Sequence, residues 1–289
     1  MKPAAFDYLA PATVAEAVAM LAEHGGRAKL LAGGQSLVPA MNFRCLEPAV
    51  LIDLNTVAGL DYVRLEADGE IRIGAMTRNA TLEADPVIAA RLPLMHAAIP
   101  FLAHAAIRNR GTIGGSLAYA DPAAELPAVS LAYAARVRAL GPRGERWIAL
   151  EGFFTDTFRT ALEADELLVE AAFPPAPLPG TWGFEEIARR HGDRVMMGVA
   201  AALGVGAGGL VLESRLALQN AARTPFLARE TSRWLAGKRL VPDVIAEAAA
   251  RVREEVAPTG ETHATVDYQR HLAEVLTARA LRQARGRIA

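Results

Sequence analysis

The chain has 289 residues, 31 basic against 32 acidic, a formal net charge of −1 and 52% hydrophobic residues. That apolar share excludes a disordered chain, and the balanced charge argues against nucleic acid as the main partner. The single cysteine, Cys45, excludes an internal disulfide, a cysteine-rich zinc site, and an iron–sulfur cluster held by this chain alone, which takes about four thiolates.

One free thiol fits a reducing compartment, and Cys45 itself is expected as a small buried apolar residue. Met1-Lys2-Pro3 runs into Asp7 without the apolar core of an export signal. The longest uncharged stretch, Val195 to Leu212, carries five glycines and reads as two strands and a turn rather than a membrane span. A cytoplasmic protein is the expectation.

Thr13-Val14-Ala15-Glu16 is a capping box, in which hydroxyl and carboxylate satisfy amides left free at a helix start. Val14, Ala17, Val18 and Leu21 then share one helical face, and Gly25-Gly26 ends it. Lys29 to Ala32 predicts a short buried strand that feeds Gly33-Gly34-Gln35-Ser36, with a helix starting near Leu37. Ala49 to Leu54 predicts a second strand. Tyr62 to Leu65 and Ile71 to Ile73 flank Asp68-Gly69, a tight-turn signal. Short helices are expected over Thr81–Asp85, Val87–Arg91 and Leu94–His104, limited by Pro86, Pro93 and Pro100.

The loop Arg108 to Ser116 leads into a helix from about Ala123 to Tyr133. A hairpin turns at Gly141-Pro142-Arg143-Gly144, and Leu167 to Phe173 predicts a strand. Pro174 to Gly180, with four prolines, reads as a stiff connector and the domain boundary. Beyond it, three strands (Trp182–Arg189, Val195–Val205, Leu210–Gln219) precede three helices (near Pro225–Leu235, Pro242–Val256, Asp267–Arg285), an α+β pattern.

Two glycine-rich loops carry the chemical signal: Gly33-Gly34-Gln35-Ser36, and Thr112-Ile113-Gly114-Gly115-Ser116. Paired glycines let successive amides point one way and remove Cβ atoms that would block a phosphate. Ser36, Thr112 and Ser116 offer hydroxyls, and a helix start adds its dipole end. Either loop by itself reads better as an ordinary turn; two of similar make-up about eighty residues apart bring the cradle reading level with it. Gly204 to Gly209 imitates a dinucleotide fingerprint, but strand-like residues follow it, so a hairpin turn is expected. His191 beside Asp193 reads as a polar turn. His263 and His271 lack a carboxylate partner set, and no metal site is expected. Arg108 and Arg110 read as surface charges.

Ala32-Gly33-Gly34-Gln35-Ser36-Leu37 and Thr112-Ile113-Gly114-Gly115-Ser116-Leu117-Ala118, with Asp121-Pro122 and Glu125-Leu126-Pro127 behind, resemble the two flavin motifs of the FAD-binding medium subunit of molybdenum hydroxylases. This is the carbon monoxide dehydrogenase and xanthine dehydrogenase family. The likeness also takes in Phe6 to Pro11, Ile52 to Asn55, Gly74 to Thr77 and Arg190 to Asp193.

The resemblance implies an α+β protein with a two-subdomain FAD-binding domain (PCMH-like) over residues 1–176, subdomains about 1–56 and 57–176. A smaller α+β domain over 177–289, with a three-stranded antiparallel sheet and helices, completes it. It implies FAD extended between the subdomains, its pyrophosphate on Ala32, Gly33, Gly34, Gln35, Ser36 and Leu37, with Lys29 and Leu31 flanking. Thr112, Gly114, Gly115, Ser116 and Ala118 line the cofactor, Asp121 and Glu125 fall near the ribityl or flavin edge, and Leu168 supplies a backbone contact.

The sequence departs from the family at Glu186, where some relatives carry lysine, at Arg194 and Val195, where an aromatic and an alanine are common, and at Gln35, where several have histidine. No catalytic acid or base is named. The resemblance implies an oxidoreductase subunit that takes electrons from [2Fe-2S] clusters in a small subunit, with the molybdenum cofactor in a large one, in a dimer of heterotrimers. The acceptor is left open among quinone, cytochrome, NAD and dioxygen. Met41, Phe43 and Leu46 are candidates for either a partner surface or core. Two rival readings are a self-contained FAD-dependent oxidase or dehydrogenase, and a binding module that has lost FAD.

Overall fold

A computed structural model describes residues 2–175 and 180–288. The proposed boundary at residues 176 and 177, inside the proline-rich connector, lies outside the described residues. The first unit contains β1 (Asp7–Leu9), α1 (Val14–His24), β2 (Ala28–Leu31), α2 (Leu37–Asn42) and β3 (Val50–Asp53). Its strands form a parallel sheet in the order β1-β3-β2, with Leu31 opposite Asp53. Half of the expected capping box forms: the Thr13 hydroxyl accepts from the Glu16 amide, while the Glu16 carboxylate accepts not from Thr13 but from the Ala12 amide, one residue before the cap, at 2.8 Å. Ala17, Val18 and Leu21 of α1 are the buried stripe.

The second unit begins with β4 (Val63–Leu65), β5 (Ile71–Gly74) and a run of short helices: α3 (Asn79–Ala84), α4 (Pro86–Arg91), α5 (Pro93–Ala98) and α6 (Ala105–Arg108). The helix expected over Leu94–His104 is shorter, because a 3-10 turn at Ile99–Phe101 follows and Ala103 takes φ +45°. Then come α7 (Ile113–Tyr119), α8 (Glu125–Ala132), β6 (Arg136–Gly141), β7 (Gly144–Ala149), β8 (Phe154–Asp156), β9 (Arg159–Thr160) and β10 (Leu167–Phe173). An antiparallel sheet runs β4-β5-β10-β6-β7, and β8 and β9 form a separate hairpin. Every residue of α8 is buried, which suits a helix apolar all round.

The third unit is β11 (Gly180–Ala188), β12 (Val195–Val205), β13 (Val211–Gln219), β14 (Phe226–Leu227), α9 (Arg229–Leu235), α10 (Pro242–Glu255) and α11 (Val266–Gly286). The three expected strands pair antiparallel, and the two-residue β14 adds to their edge where a helix start was expected. One face of this sheet packs on α10 and α11 around Val199, Leu218, Ile245 and Leu276. The other face continues the core of the second unit: Phe184, Ala200 and Ala217 pack with Leu126, Ala128 and Val129. A further cluster joins Ala17 and Val18 of α1 to Met76, Leu167 and Val169. Thus the second unit is held from both sides by apolar contact.

The Gly204–Gly209 segment is the hairpin turn between β12 and β13, closed by the Gly206 amide on the Leu210 carbonyl at 2.8 Å. Cys45 is exposed, not buried, because it sits in the turn after α2. Among the described residues no helix is long and apolar enough to cross a membrane.

Candidate cofactor site

The two glycine motifs meet. Strand β2 ends at Leu31 and delivers Gly33 against the second motif, where a Cβ on Gly33 would come within 2.7 Å of the Gly111 Cα and closer to the Arg110 carbonyl. A Cβ on Gly115 would lie 3.4 Å from the Ala32 Cβ. Real Cβ atoms do not tolerate the first of these approaches, so Gly33 is required by contact rather than by local conformation. Gly34 is required by conformation, with φ +73°.

The first motif has the arrangement expected of an anion cradle. The Gln35 side-chain amide donates to the Gly33 carbonyl at 2.9 Å and braces the turn. Val38 and Ala40 amides donate back to Gly34 and Ser36 and start α2. Among the described residues no group accepts from the backbone amides of Gly33, Gly34, Gln35, Ser36 or Leu37. Five consecutive donors therefore remain at one turn.

The second motif differs from its expected form. It is not a loop but the first turns of α7, with Thr112 as its N-cap. The Ile113 amide donates to Thr77 O, Gly114 to Ala75 O at 2.9 Å, Gly115 to the Thr112 hydroxyl at 3.1 Å, and Ser116 to Thr112 O. These four donors are engaged within the protein. Gly114 is a packing residue, since its Cβ would lie 2.5 Å from the Ala75 Cβ and 2.8 Å from the Ala75 Cα. Of this motif Ser116 remains half-buried and Ala118 exposed.

Two cations beside this junction are functional candidates that sequence reasoning missed or set aside. Arg78 donates to the Arg110 carbonyl and to the Asn55 side chain. Burial, and then the neighbouring Arg110 charge, lower its pKa from the ordinary guanidinium value. Among the described residues neither Arg78 nor Arg110 has an ion-pair partner. Asp53 and Asp61 act on Arg78, and Asp53 on Arg110, by charge without forming an ion pair, and two neighbouring cations left without a direct ion pair favour an anion beside them. Asn55 is fixed by Asp53 and donates to the Ala32 carbonyl at 3.0 Å, tying the first motif to β3. Burial alone would raise the Asp53 pKa, but hydrogen bonds from Tyr8 and Asn55 lower it. Arg108, by contrast, is held by Glu83 at 2.8 Å. The sequence signal for Arg78 was its place directly after the Gly74-to-Thr77 string.

The remaining predicted residues are spread outward from this junction. Lys29 is exposed on β2 and Leu31 half-buried beside Gly34. Leu168 is buried in β10 opposite Ala139. Asp121 accepts from Arg194 at 2.8 Å, and Glu125 is buried at the start of α8, so both lie on the seam with the third unit. Burial pushes the Glu125 pKa up to about 7.

Met41 is core, whereas Phe43 is 69% exposed. His191 packs edge-on against Phe101, and among the described residues no hydrogen bond or ion pair joins it to Asp193, whose amide closes the turn on Arg190 O. His263 lies by Arg189 and His271 by Tyr268; no metal-holding cluster occurs among the described residues. A surface recess of about 340 Å³ has two of its three lining cations, Arg215 and Arg229, paired with Glu151, and none of its lining residues belongs to either motif.

A two-subdomain α+β fold with a donor-lined, cation-flanked junction defines a binding protein for an extended anionic cofactor. Comparison with known proteins specifies it. Residues 4–176 match the FAD binding domain in molybdopterin dehydrogenase, and 182–284 the CO dehydrogenase flavoprotein C-terminal domain. The chain is 39% identical over 290 residues to the caffeine dehydrogenase subunit beta of Pseudomonas sp. (strain CBB1), covering 100% of this chain and 97% of that one. It is 38% identical to the carbon monoxide dehydrogenase medium chain of Hydrogenophaga pseudoflava, covering all of both.

The solved structure of carbon monoxide dehydrogenase from Hydrogenophaga pseudoflava superposes with a TM-score of 0.96 over 100% of both chains. Quinoline 2-oxidoreductase from Pseudomonas putida 86 superposes with 0.93 at 34% identity, covering 99% of both. The chain belongs to the FAD-binding medium subunits of the molybdopterin dehydrogenases. It is an FAD-containing oxidoreductase subunit.

Proposed function

We propose that this chain is the electron-transfer subunit of a molybdenum hydroxylase complex. It takes electrons from the [2Fe-2S] clusters of a small partner subunit and passes them to an external acceptor, while substrate is oxidised at the molybdenum of a large subunit. FAD supplies the redox chemistry, because it accepts electrons singly or in pairs. The observation that carries the reading is the run of unengaged amides from Gly33 to Leu37 beside Arg78 and Arg110. A pyrophosphate is the ligand whose charge and acceptor count match that donor set.

Ala32, Gly33, Gly34, Gln35, Ser36 and Leu37 would hold the pyrophosphate, with Lys29 and Leu31 at its flank. Thr112, Gly114 and Gly115 keep α7 close enough for Ser116 and Ala118 to border the cofactor. Asp121, Glu125 and the Leu168 backbone would contribute from the seam with the third unit. The chain orients and shields the cofactor. A dimer of heterotrimers is the assembly this role fits, in the reducing interior of the cell.

The test is the visible absorption spectrum of the purified chain, with acid release of the chromophore. It is followed by reduction with substrate in the presence and absence of the iron–sulfur and molybdenum subunits. The expected result is released FAD, and flavin bleaching only when both partners are present. Bleaching of the isolated chain by an organic substrate would favour the self-contained oxidase instead. A colourless chain that takes up no added FAD would overturn the reading.

A further inference from the structure

One side chain outside both glycine motifs helps to tie them together. Asn55 sits in the 3-10 turn Leu54–Thr56 that follows β3 and is capped by Asp53. Its side-chain amide donates to the Asp53 carboxylate at 2.5 Å and to the Ala32 carbonyl at 3.0 Å. Those two acceptors take both Nδ2 hydrogens and leave Oδ1 as the free acceptor. Oδ1 accepts from the Arg78 guanidinium at 2.5 Å. Arg78 in turn donates to the Arg110 carbonyl, the atom that a Cβ on Gly33 would strike. These links close a ring through Ala32-Gly33, Asn55, Arg78 and Arg110.

The ring is anchored from the strands beneath it. Leu31 of β2 lies in register with Asp53 of β3, which brings the end of β2 beside the turn that holds Asn55. Asp53 is buried and accepts from the Asn55 backbone amide at 2.9 Å and from the Tyr8 hydroxyl of β1 at 2.5 Å. All three strands of the parallel sheet therefore fix the orientation of one amide, and that amide fixes one guanidinium. Arg78 belongs to the second unit, at the N-cap of α3. A guanidinium has five N–H donors; among the described residues two of those on Arg78 are engaged, on the Asn55 and Arg110 oxygens. The others stay available to an anion. A free arginine loses rotamer entropy when it grips an anion, and one already held at two donors loses less.

We propose that Asn55 is a positioning residue of the cofactor cradle: it holds the Arg78 guanidinium beside Gly33, so that the free amides of the first motif and the remaining Arg78 donors act on one anionic group. The amide is the side chain this place requires. An ionised aspartate at 55 would accept from Arg78 but could not donate to the Ala32 carbonyl, and its charge would offset that of Arg78. Leucine would do neither. The inference rests on the reading of the first motif as the FAD pyrophosphate site, and goes beyond it by naming the residue through which Arg78 is aimed.

The experiment is titration of the FAD-stripped full chain with FAD, followed by flavin fluorescence at low and high ionic strength, with phosphorus NMR of the bound pyrophosphate. Asn55→Leu is expected to weaken FAD binding by about tenfold, the worth of one charge-assisted contact to phosphate, and to keep its salt dependence. Asn55→Asp should weaken binding at least as much and make the salt dependence shallower, because Arg78 is then neutralised. In an Arg78→Ala background, Asn55→Leu should cost less than about threefold more, since its main effect passes through Arg78. Asn55→Leu and Arg78→Ala should shift the same phosphorus resonance. Thr56→Val, on the same turn, should leave affinity and spectrum unchanged. Wild-type affinity in Asn55→Leu, or fully additive losses in the double variant, would overturn the proposal. Should Asn55→Leu not fold, an unaltered salt dependence in Asn55→Asp would overturn it equally. A wild-type chain that takes up no FAD would overturn the cradle reading and this proposal with it, whereas FAD uptake by wild type beside unaffected variants overturns this proposal alone.

Discussion

The backbone of Gly33 rests on that of Gly111, so closely that a Cβ on the former would stand 2.7 Å from the Cα of the latter. This contact joins the parallel-sheet unit to the antiparallel one at the junction where the free amides begin. Substituting Gly33→Ala forces the two backbones apart, at a cost of about 1–3 kcal/mol for overpacking. The predicted outcome is at least about tenfold weaker FAD retention with near-normal far-ultraviolet circular dichroism. The ratio of flavin to protein absorbance after gel filtration measures it.

Arg110 gives a cleaner electrostatic test, because its guanidinium is exposed while its carbonyl does the structural work of accepting from Arg78. Arg110→Ala should leave the melting temperature within about a degree of wild type, as surface changes usually do. FAD binding should weaken by roughly 5- to 20-fold, the value of one charge-assisted contact to phosphate. Its salt dependence should become shallower. Titration calorimetry at two ionic strengths separates these effects. Arg78→Ala should lose stability as well, since Arg78 bridges Asn55 and Arg110.

Thr112 caps α7 and accepts from the Gly115 amide. Thr112→Val keeps the shape and removes the acceptor. The expected loss is about 1 kcal/mol of unfolding free energy, read from chemical denaturation of the FAD-free chain. If the main role of Thr112 is capping, FAD affinity should change much less than in Gly33→Ala.

Arg194 and Asp121 link the third unit to the second motif through a half-exposed ion pair. Such pairs contribute about 0–1 kcal/mol, so Arg194→Ala alone should barely shift the melting temperature. A double-mutant cycle with Asp121→Asn should return a coupling energy below about 1 kcal/mol. A larger value would mean that the pair is effectively shielded from water.

Asp156 and Arg223 form a two-bonded pair at the base of the β8–β9 hairpin. Hydrogen bonding from Arg223 lowers the Asp156 carboxyl to about 2. Its stabilisation is present above the ordinary carboxylate range and is lost as pH falls towards about 2. Asp156→Asn should therefore weaken docking of the β8–β9 hairpin at neutral pH and leave it unchanged near pH 2, as reported by the exchange of hairpin amides.

Local chemistry wrote much of this protein into its sequence. Thr13 and Glu16 announced α1, Asp68-Gly69 announced the β4–β5 turn, and apolar runs marked β3, β10, β12 and β13. The paired motifs, Gly33-Gly34 and Gly114-Gly115, were legible because backbone that must pack closely against other groups is written in glycine. Interactions between distant residues set the rest. That Gly33 needs its hydrogen because of Gly111, that Gly114 packs on Ala75 with its amide already engaged, and that Arg78 and Arg110 form no direct ion pair among the described residues depend on which strands lie side by side. Propensity and capping act within a few residues, whereas sheet register and packing choose neighbours across the whole chain. The sequence thus determined that a cofactor cradle exists; the tertiary structure decided which motif keeps its donors and which charges surround it.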